Sequence, residues 1–210
     1  MTLAISLKST DLAALLCSRI CHDLISPIGA IQNAMELYDE AGADEDVLQL
    51  VRLSVANASA RLQFARLAFG SSGMREGQID TSFAGKIAQQ YIAEGKATLK
   101  WQAPALILPK DEVRLLLNLL LIANAIVSRG GEISVMVSQD GGKRSFRLEI
   151  LGKTLRVPAN FVELYSGKSL EIDAHTIQPY YTLLLAEETA MKISMNETDG
   201  CVILESTKIL

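Results

Sequence analysis

The sequence predicts an α+β fold in which an N-terminal antiparallel helical hairpin precedes a layered domain of helices and strands. Leu and Ala, the strongest helix formers, supply 31 and 24 of the 210 residues, and the first 70 residues follow a helical period. Beyond residue 130, polar and apolar residues alternate as they do in strands. The Gly- and Ser-rich segment 70–73 separates the two patterns, so we predict domains at 1–73 and 74–210.

Two long helices form the predicted hairpin. The first begins at a Ser9 or Thr10 cap and extends to about Glu40, where Ala-Gly-Ala interrupts the pattern. The acidic run 44–46 then begins the second helix, in the sense that the helix dipole favours. Its apolar residues form a heptad seam, which comprises Leu48, Val51, Val55, Ala58, Leu62, Ala65 and Phe69. A single hairpin would leave this seam uncovered, so we predict a homodimer.

The second domain is predicted to mix helices with strands. The pattern indicates helices at 83–94 and 109–128, and strands at 98–102, 132–138, 144–150, around Ile193 and at 202–209. Asp140-Gly141-Gly142 is typical of a hairpin turn, so the two middle strands are expected to pair antiparallel. A layered arrangement of these elements fits best.

Composition and charge exclude several classes of partner. The formal net charge is -4, so we expect no attraction to nucleic acid or to an anionic membrane. The mean hydropathy of +0.23 is high, yet no uncharged stretch of membrane-spanning length is found. The first ten residues lack the basic and apolar pattern of an export signal, so we expect a cytoplasmic protein.

The cysteines and the second histidine do not predict a metal site. Cys17, Cys21 and Cys201 lack the spacing of a disulfide framework or a zinc site, so we expect reduced thiols. The helical period places Cys17 and Cys21 on the core side of the first helix. His175 has no partner pattern around it, and we expect it to cap a helix or to lie at the surface.

His22 lies on the polar side of the first helix. At about 100° per residue, the apolar stripe that contains Ile20 and Leu24 lies almost opposite His22. The imidazole is therefore expected to face solvent from the middle of a helix. Its helical neighbours are all small, namely Ser18, Ser26 and Gly29. Pro27 removes one backbone hydrogen bond and predicts a bend close to His22.

The segment 22–27, His-Asp-Leu-Ile-Ser-Pro, resembles the H-box of two-component histidine kinases. The resemblance implies that His22 carries a phosphoryl group and that two hairpins form a four-helix bundle. Asp23 then orients the ring or accepts its proton, the alternative being a solvated helix charge. A receiver domain is expected to dock on the His22 side of the helix, on Ser18, Arg19, Ile25, Ser26, Gly29 and Asn33.

The second domain resembles the ATPase domain of these kinases, of Bergerat type, with its nucleotide motifs degenerate. Near Asn124, the positions of a second Asn and of a Lys hold Leu120 and Val127. Gly152 stands at the position of the adenine-reading Asp. The segment 175–181 stands where a glycine-rich loop should cradle phosphate. We therefore expect this domain to bind no ATP.

An H-box beside such a domain, together with Gln178-Pro179-Tyr180-Tyr181, resembles the histidine phosphotransferases of alphaproteobacterial cell-cycle phosphorelays. The resemblance covers essentially the whole chain. It implies that His22 takes a phosphoryl group from the receiver domain of a CckA-type hybrid histidine kinase and passes it to CtrA- and CpdR-type response regulators. No cofactor is implied for this chain, and Mg²⁺ is expected on the partner receiver domain.

Two other functions remain open at the level of sequence. A divergent histidine kinase would label His22 from ATP without any donor protein. A binding protein would sequester a receiver domain without accepting phosphate, and a His22→Gln variant would then behave like the wild type. Incubation with labelled ATP alone tests the kinase, and transfer from a phosphorylated receiver domain to the wild type and to His22→Gln tests the binding protein.

Overall fold

A computed structural model describes residues 5–41, 45–70, 77–140 and 143–208. Its first two elements are the predicted hairpin, in which helix α1, Ser9–Ala41, packs along helix α2, Glu45–Ala68. Both helices begin and end close to their predicted limits. The turn at 42–44, the domain boundary after residue 73 and the predicted turn at 141–142 lie outside the described residues.

The elements that follow confirm the α+β class. The helices are α3, Thr81–Ala93; α4, Lys110–Ile126; α5, Ala159–Tyr165; and α6, Ile177–Glu188. The strands are β1, Gln78–Asp80; β2, Ala97–Gln102; β3, Ile107–Pro109; β4, Gly131–Asp140; β5, Lys143–Leu151; β6, Met191–Thr198; and β7, Cys201–Lys208. The sequence does not predict β1, β3 or α5, because elements this short show too few repeats of a period.

Five strands form one mixed sheet in the order β2-β4-β5-β7-β6, with β2 parallel to β4 and the other neighbours antiparallel. Buried residues of adjacent strands stand opposite each other, as Leu148 does between Val135 and Leu204. The residues between them point the other way, and Arg147 pairs there with Glu205. One face of the sheet therefore carries the core beneath the helices, and the other is polar.

Helix α4 forms the centre of the core. Every residue from Leu115 to Leu120 is fully buried, including the polar Asn118. A helix that is apolar on all sides needs cover on all sides, and α4 contacts α2, α3, α6 and the sheet. The C-terminal end of the hairpin is consequently part of the core of the second domain.

A buried polar network fastens the end of α2 to α4 and α6. The side-chain amide of Asn118 donates to the carbonyl of Ala68 at 3.0 Å, and Arg114 donates to the carbonyl of Gly70. These carbonyls lie at a helix C-terminus, where no helical N–H is available to them. Gln178 of α6 donates in turn to the carbonyl of Asn118 at 3.0 Å.

The start of α1 is held by α6. The backbone N–H of Leu7 donates to the Tyr180 hydroxyl at 3.3 Å, and that hydroxyl donates to the carbonyl of Ile5 at 3.3 Å. Leu12 and Leu15 pack against the core of the second domain. The start of α1 and the end of α2 are therefore both attached to the second domain. This attachment determines which residues lie beside His22.

The remaining side of the hairpin carries an exposed apolar stripe. Its members are Ile28 and Met35 of α1 and Val55 and Leu62 of α2, the last two from the predicted seam. Cys17 and Cys21 lie on the same side of α1 as Ile28 and Met35. The prediction of core thiols is wrong for the single chain, because both cysteines are exposed. Hydrogen bonding with Cys17 raises the pKa of Cys21 above its ordinary value.

Helix α1 also has the length and composition of a membrane span, with a mean hydropathy of 1.3 in its most apolar part. The sequence predicts no span because it contains no uncharged stretch of 18 residues, and the longest candidate, 113–128, is interrupted by Arg114 and Asn118. In the structure the apolar sides of α1 contact α2 and the second domain, or belong to the exposed stripe. Only 6% of this apolar part is buried within the single chain, so most of it is left for a further contact such as the predicted second hairpin.

Candidate functional site

His22 lies in the middle of α1 with its side chain 68% exposed, as the helical period predicts. Helix α1 continues through Pro27, which is buried. Because Pro27 has no N–H, the carbonyl of Asp23 lacks its helical partner. The bend near His22 stays a prediction. The imidazole thus projects from a long helix, close to a position where one backbone hydrogen bond is missing.

Asp23 joins His22 to Arg19. One carboxylate oxygen accepts from Arg19 Nε at 2.9 Å, and the other lies 3.3 Å from His22 Nδ1. A carboxylate only accepts hydrogen bonds, so this contact selects the tautomer with the proton on Nδ1. His22 Nε2 then carries the free lone pair. This geometry suits orientation of the ring by Asp23, and that role stays a prediction.

The support beneath Asp23 is aromatic. Phe64 of α2 stacks on Tyr91 of α3 with ring centroids 4.2 Å apart. Burial raises the pKa of Tyr91; Arg61 opposes this, Asp23 reinforces it and Arg19 again opposes it. Tyr91 is therefore a neutral neighbour of the site and not a proton acceptor.

The predicted docking residues follow one side of α1 around His22. Four of them are exposed, namely Ser18, Ile25, Ser26 and Asn33, and Ile25 is the most exposed large hydrophobic residue of α1. Arg19 is turned toward Asp23, with 28% of its side chain exposed. A Cβ on Gly29 would meet no neighbouring atom within 4 Å, so open space surrounds that position. Docking of a receiver domain on this side stays a prediction.

His175 of the second domain lies directly beside His22, and sequence reasoning missed it. The two ring centroids are 6.0 Å apart and the ring planes are inclined by 79°, edge to face. His175 does lie just before α6 and is exposed, as expected of a capping or surface residue. Its place beside His22 depends on how the second domain packs on the hairpin.

Hydrogen bonds hold the backbone of His175 on both sides. Its N–H donates to an Asp173 carboxylate oxygen at 2.9 Å, and its carbonyl accepts from Asn160 Nδ2 at 3.2 Å. The same Asp173 oxygen accepts from the hydroxyl and the N–H of Thr176. The bonds from Thr176 and then that from His175 lower the pKa of Asp173. This turn fixes the position from which the imidazole projects.

One signal in the sequence points to this arrangement. Leu15 lies two turns before His22 and only about 20° away around the helix, and Leu12 lies on the adjoining side. Apolar residues on the face of His22 indicate that a further element covers α1 there. They identify the covered side, but they do not identify His175 as its neighbour.

Aliphatic and amide side chains fill the positions where kinase motifs would bind nucleotide. Leu120 and Val127 are buried, and a Cβ on Gly152 would lie 2.9 Å from the Leu155 side chain. An Asp at position 152 would therefore displace Leu155. The first turn of α6 is buried, and its Gln178 serves the network at the end of α2. These positions now stabilise the fold.

The described ranges contain no group of three or more His, Cys, Asp or Glu residues that is arranged to hold a metal ion. Asp23 lies beside the ring of His22, and Asp173 accepts from the backbone N–H of His175. These four side chains do not surround a common point where a metal ion could bind. The chemistry available at the site is that of an exposed imidazole with an oriented nucleophilic nitrogen.

Comparison with known proteins finds relatives that match nearly the whole chain. A family model described as the histidine phosphotransferase C-terminal domain matches residues 83–200. Protein phosphotransferase ChpT of Brucella abortus (strain 2308) is 52% identical over 208 residues, which cover 98% of this chain and 100% of that protein.

Solved structures agree with the family comparison. A 1.7 Angstrom structure of a bacterial phosphotransferase is 50% identical, with a TM-score of 0.92, over 98% of this chain and 100% of that chain. The histidine kinase domain of a blue-light activated kinase from Erythrobacter litoralis is 12% identical, with a TM-score of 0.50, over 86% of this chain and 95% of that chain. At that identity the second likeness concerns the fold alone.

Proposed function

Because this chain belongs to the histidine phosphotransferase family, we propose that His22 is the residue that carries the phosphoryl group. The observation that carries the proposal is the exposed imidazole whose Nδ1 faces Asp23. It presents a nucleophilic nitrogen to a docking partner from the one segment that resembles an H-box. Among the described residues, no carboxylate is hydrogen-bonded to the ring of the other histidine, His175.

The proposed transfer is a displacement at phosphorus. The His22 Nε2 lone pair attacks the aspartyl phosphate of a receiver domain, so an N–P bond forms while the P–O bond breaks and the receiver carboxylate leaves. Positive charge develops on the imidazole, and Asp23 stabilises it while the Nδ1 proton stays between the two groups. The reverse displacement passes the phosphoryl group to the carboxylate of the next receiver domain. Mg²⁺, held by the receiver domain, would neutralise charge at its aspartyl phosphate.

We propose receiver domains as the partners, with a CckA-type hybrid kinase as donor and CtrA- and CpdR-type regulators as acceptors. The support is the resemblance of the whole chain together with the exposed side of α1 that surrounds His22. Ile25 offers this side an apolar contact, and Ser18, Ser26 and Asn33 offer it polar ones. The absence of a bulky side chain at Gly29 leaves room for a partner backbone.

We also propose that the chain uses no ATP of its own and works as a cytoplasmic homodimer. Against ATP binding stand the Leu155 packing at Gly152 and the buried first turn of α6. In favour of a dimer is the exposed stripe of Ile28, Met35, Val55 and Leu62, which a second hairpin would cover. The net charge of -4 gives no electrostatic reason to expect nucleic acid or an anionic membrane.

The test is transfer from a purified CckA-type receiver domain that carries labelled phosphate. The wild-type chain is expected to become labelled, to lose the label to CtrA- or CpdR-type receiver domains, and to remain unlabelled with ATP alone. His22→Gln is expected to accept no label while keeping the wild-type circular dichroism spectrum. Equal labelling of both proteins would exclude His22 as the acceptor, and labelling by ATP alone would indicate a kinase.

A further inference from the structure

We propose that His175 is a further residue of the transfer site, and that its ring N–H donates a hydrogen bond to the phosphoryl group on His22. The proposal rests on the proposed role of His22. It gives the second domain a direct part in phosphotransfer, because that domain supplies the histidine that faces the acceptor ring. The argument uses the spacing of the rings, the chemistry of the second ring and the way its backbone is held.

The spacing of the two rings suits an intervening oxygen atom. Their centroids are 6.0 Å apart, and no hydrogen bond joins these two described side chains. A phosphoryl group on His22 adds oxygen atoms beyond the edge of the ring. Such an oxygen can accept from His175 at about 3 Å, which is the ordinary hydrogen-bond distance. The free imidazoles are thus in contact without a hydrogen bond between them, and the proposed phosphoryl oxygen supplies the acceptor that His175 lacks there.

An imidazole is a suitable donor for this role. Both neutral tautomers and the cation carry at least one ring N–H, so His175 can donate in every protonation state. The phosphoryl group brings close to two negative charges to an exposed position. The cation closest in sequence, Arg19, already donates to Asp23 at 2.9 Å. His175 is the ring donor that contacts His22 from another element.

The structure holds His175 in place before any partner binds. Asp173 accepts the His175 N–H, and Asn160 donates to its carbonyl. Helix α6 follows immediately, and its Tyr180 and Gln178 contact the start of α1 and the network at the end of α2. The backbone of His175 is thereby held next to a helix that also contacts the hairpin, so the imidazole projects toward α1 from a fixed position.

The experiment compares two variants of the full-length chain, with a phosphorylated CckA-type receiver domain as donor. His175→Phe keeps a flat ring beside His22 but cannot donate, whereas His175→Gln keeps an N–H donor and loses the ring. We expect His175→Phe to lower the maximal transfer rate about tenfold with an unchanged half-saturating receiver concentration. We expect His175→Gln to stay within about threefold of the wild type.

Each result bears on the proposal in one direction. Wild-type transfer by His175→Phe, or equal loss in both variants, would overturn hydrogen bonding by His175. A change only in the half-saturating receiver concentration would assign His175 to docking instead. In the wild type, the ring ¹⁵N–¹H signals of His175 should shift when His22 is phosphorylated, and unchanged signals would contradict the contact even if a variant failed to fold. Label on His22→Gln would refute the proposed function and this inference with it, whereas the outcomes above refute the inference alone.

Discussion

At the scale of single residues, the site depends on the two carboxylate oxygens of Asp23, which have different partners. One accepts from Arg19 and the other faces His22 Nδ1, so a single carboxylate links a fixed cation to the reacting ring. In the proposed transfer through His22, charge that develops on the imidazole is met by a group already in place. The H-box pattern predicts that Asp23 lies near His22, because the two residues are adjacent in the sequence.

Asp23→Asn removes the charge and keeps one oxygen to accept from His22 Nδ1, while its NH₂ group loses the hydrogen bond from Arg19. The amide oxygen still accepts from Nδ1, but it no longer balances the positive ring, so we expect a roughly tenfold slower transfer, or about 1.4 kcal/mol. Solvent screens this exposed pair and keeps the effect modest. The measurement is the transfer rate against receiver concentration, where the maximal rate should fall.

Asp39→Asn is the matched control for this variant. Asp39 is exposed on the same helix and lies about 24 Å from Asp23 at the helical rise per residue. The charge change is identical, so Asp39→Asn should transfer at the wild-type rate. If both variants were equally slow, the effect would come from net charge or steering rather than from the ring of His22.

At the scale of elements, the long helices and the sheet follow from periodicity, because every buried side recurs several times along them. His175 shows where this reasoning ends. Its contact with His22 joins residues 153 positions apart and exists only because α6 packs on the start of α1. Leu15 signals that the side of His22 is covered, yet the covering residue depends on tertiary structure.

The first turn of α6 illustrates the same limit. The sequence shows that the glycine-rich loop is absent there, but it does not show what replaced it. The structure shows that Tyr180 holds the start of α1 and that Gln178 joins the network at the end of α2. The Asn118 amide completes this network at the carbonyl of Ala68.

Asn118→Leu should destabilise the protein through this network. Leu has a similar volume, but it leaves the carbonyl of Ala68 without the Asn118 donor and removes one of the acceptors of Gln178 Nε2, which costs about 1–3 kcal/mol. For a chain of this size the thermal midpoint should fall by roughly 2–4 °C per kcal/mol, as measured by calorimetry. Asn124→Leu, on the same helix and partly exposed, is the control and should change the midpoint little. Equal midpoints for both variants would contradict the role of Asn118.

At the scale of the whole molecule, the different sides of the hairpin face different surroundings. One side of α1 attaches to the second domain, the neighbouring side presents His22, and another carries the apolar stripe with Ile28 and Met35. The composition, rich in aliphatic residues and poor in aromatic ones, fits helices that pack on several sides. Self-association through the stripe would leave the side that presents His22 free for a receiver domain.

The stripe therefore predicts which substitutions dissociate the proposed dimer. Leu62→Glu places a charge within the stripe and should shift the mass in light scattering from twice 22.8 kDa toward 22.8 kDa at micromolar concentration. Leu53→Glu is the matched control, because Leu53 is 59% exposed against 54% for Leu62 and lies about 180° away around α2. It should remain dimeric. A wild-type monomer, or equal dissociation by both variants, would show that the stripe does not join two chains.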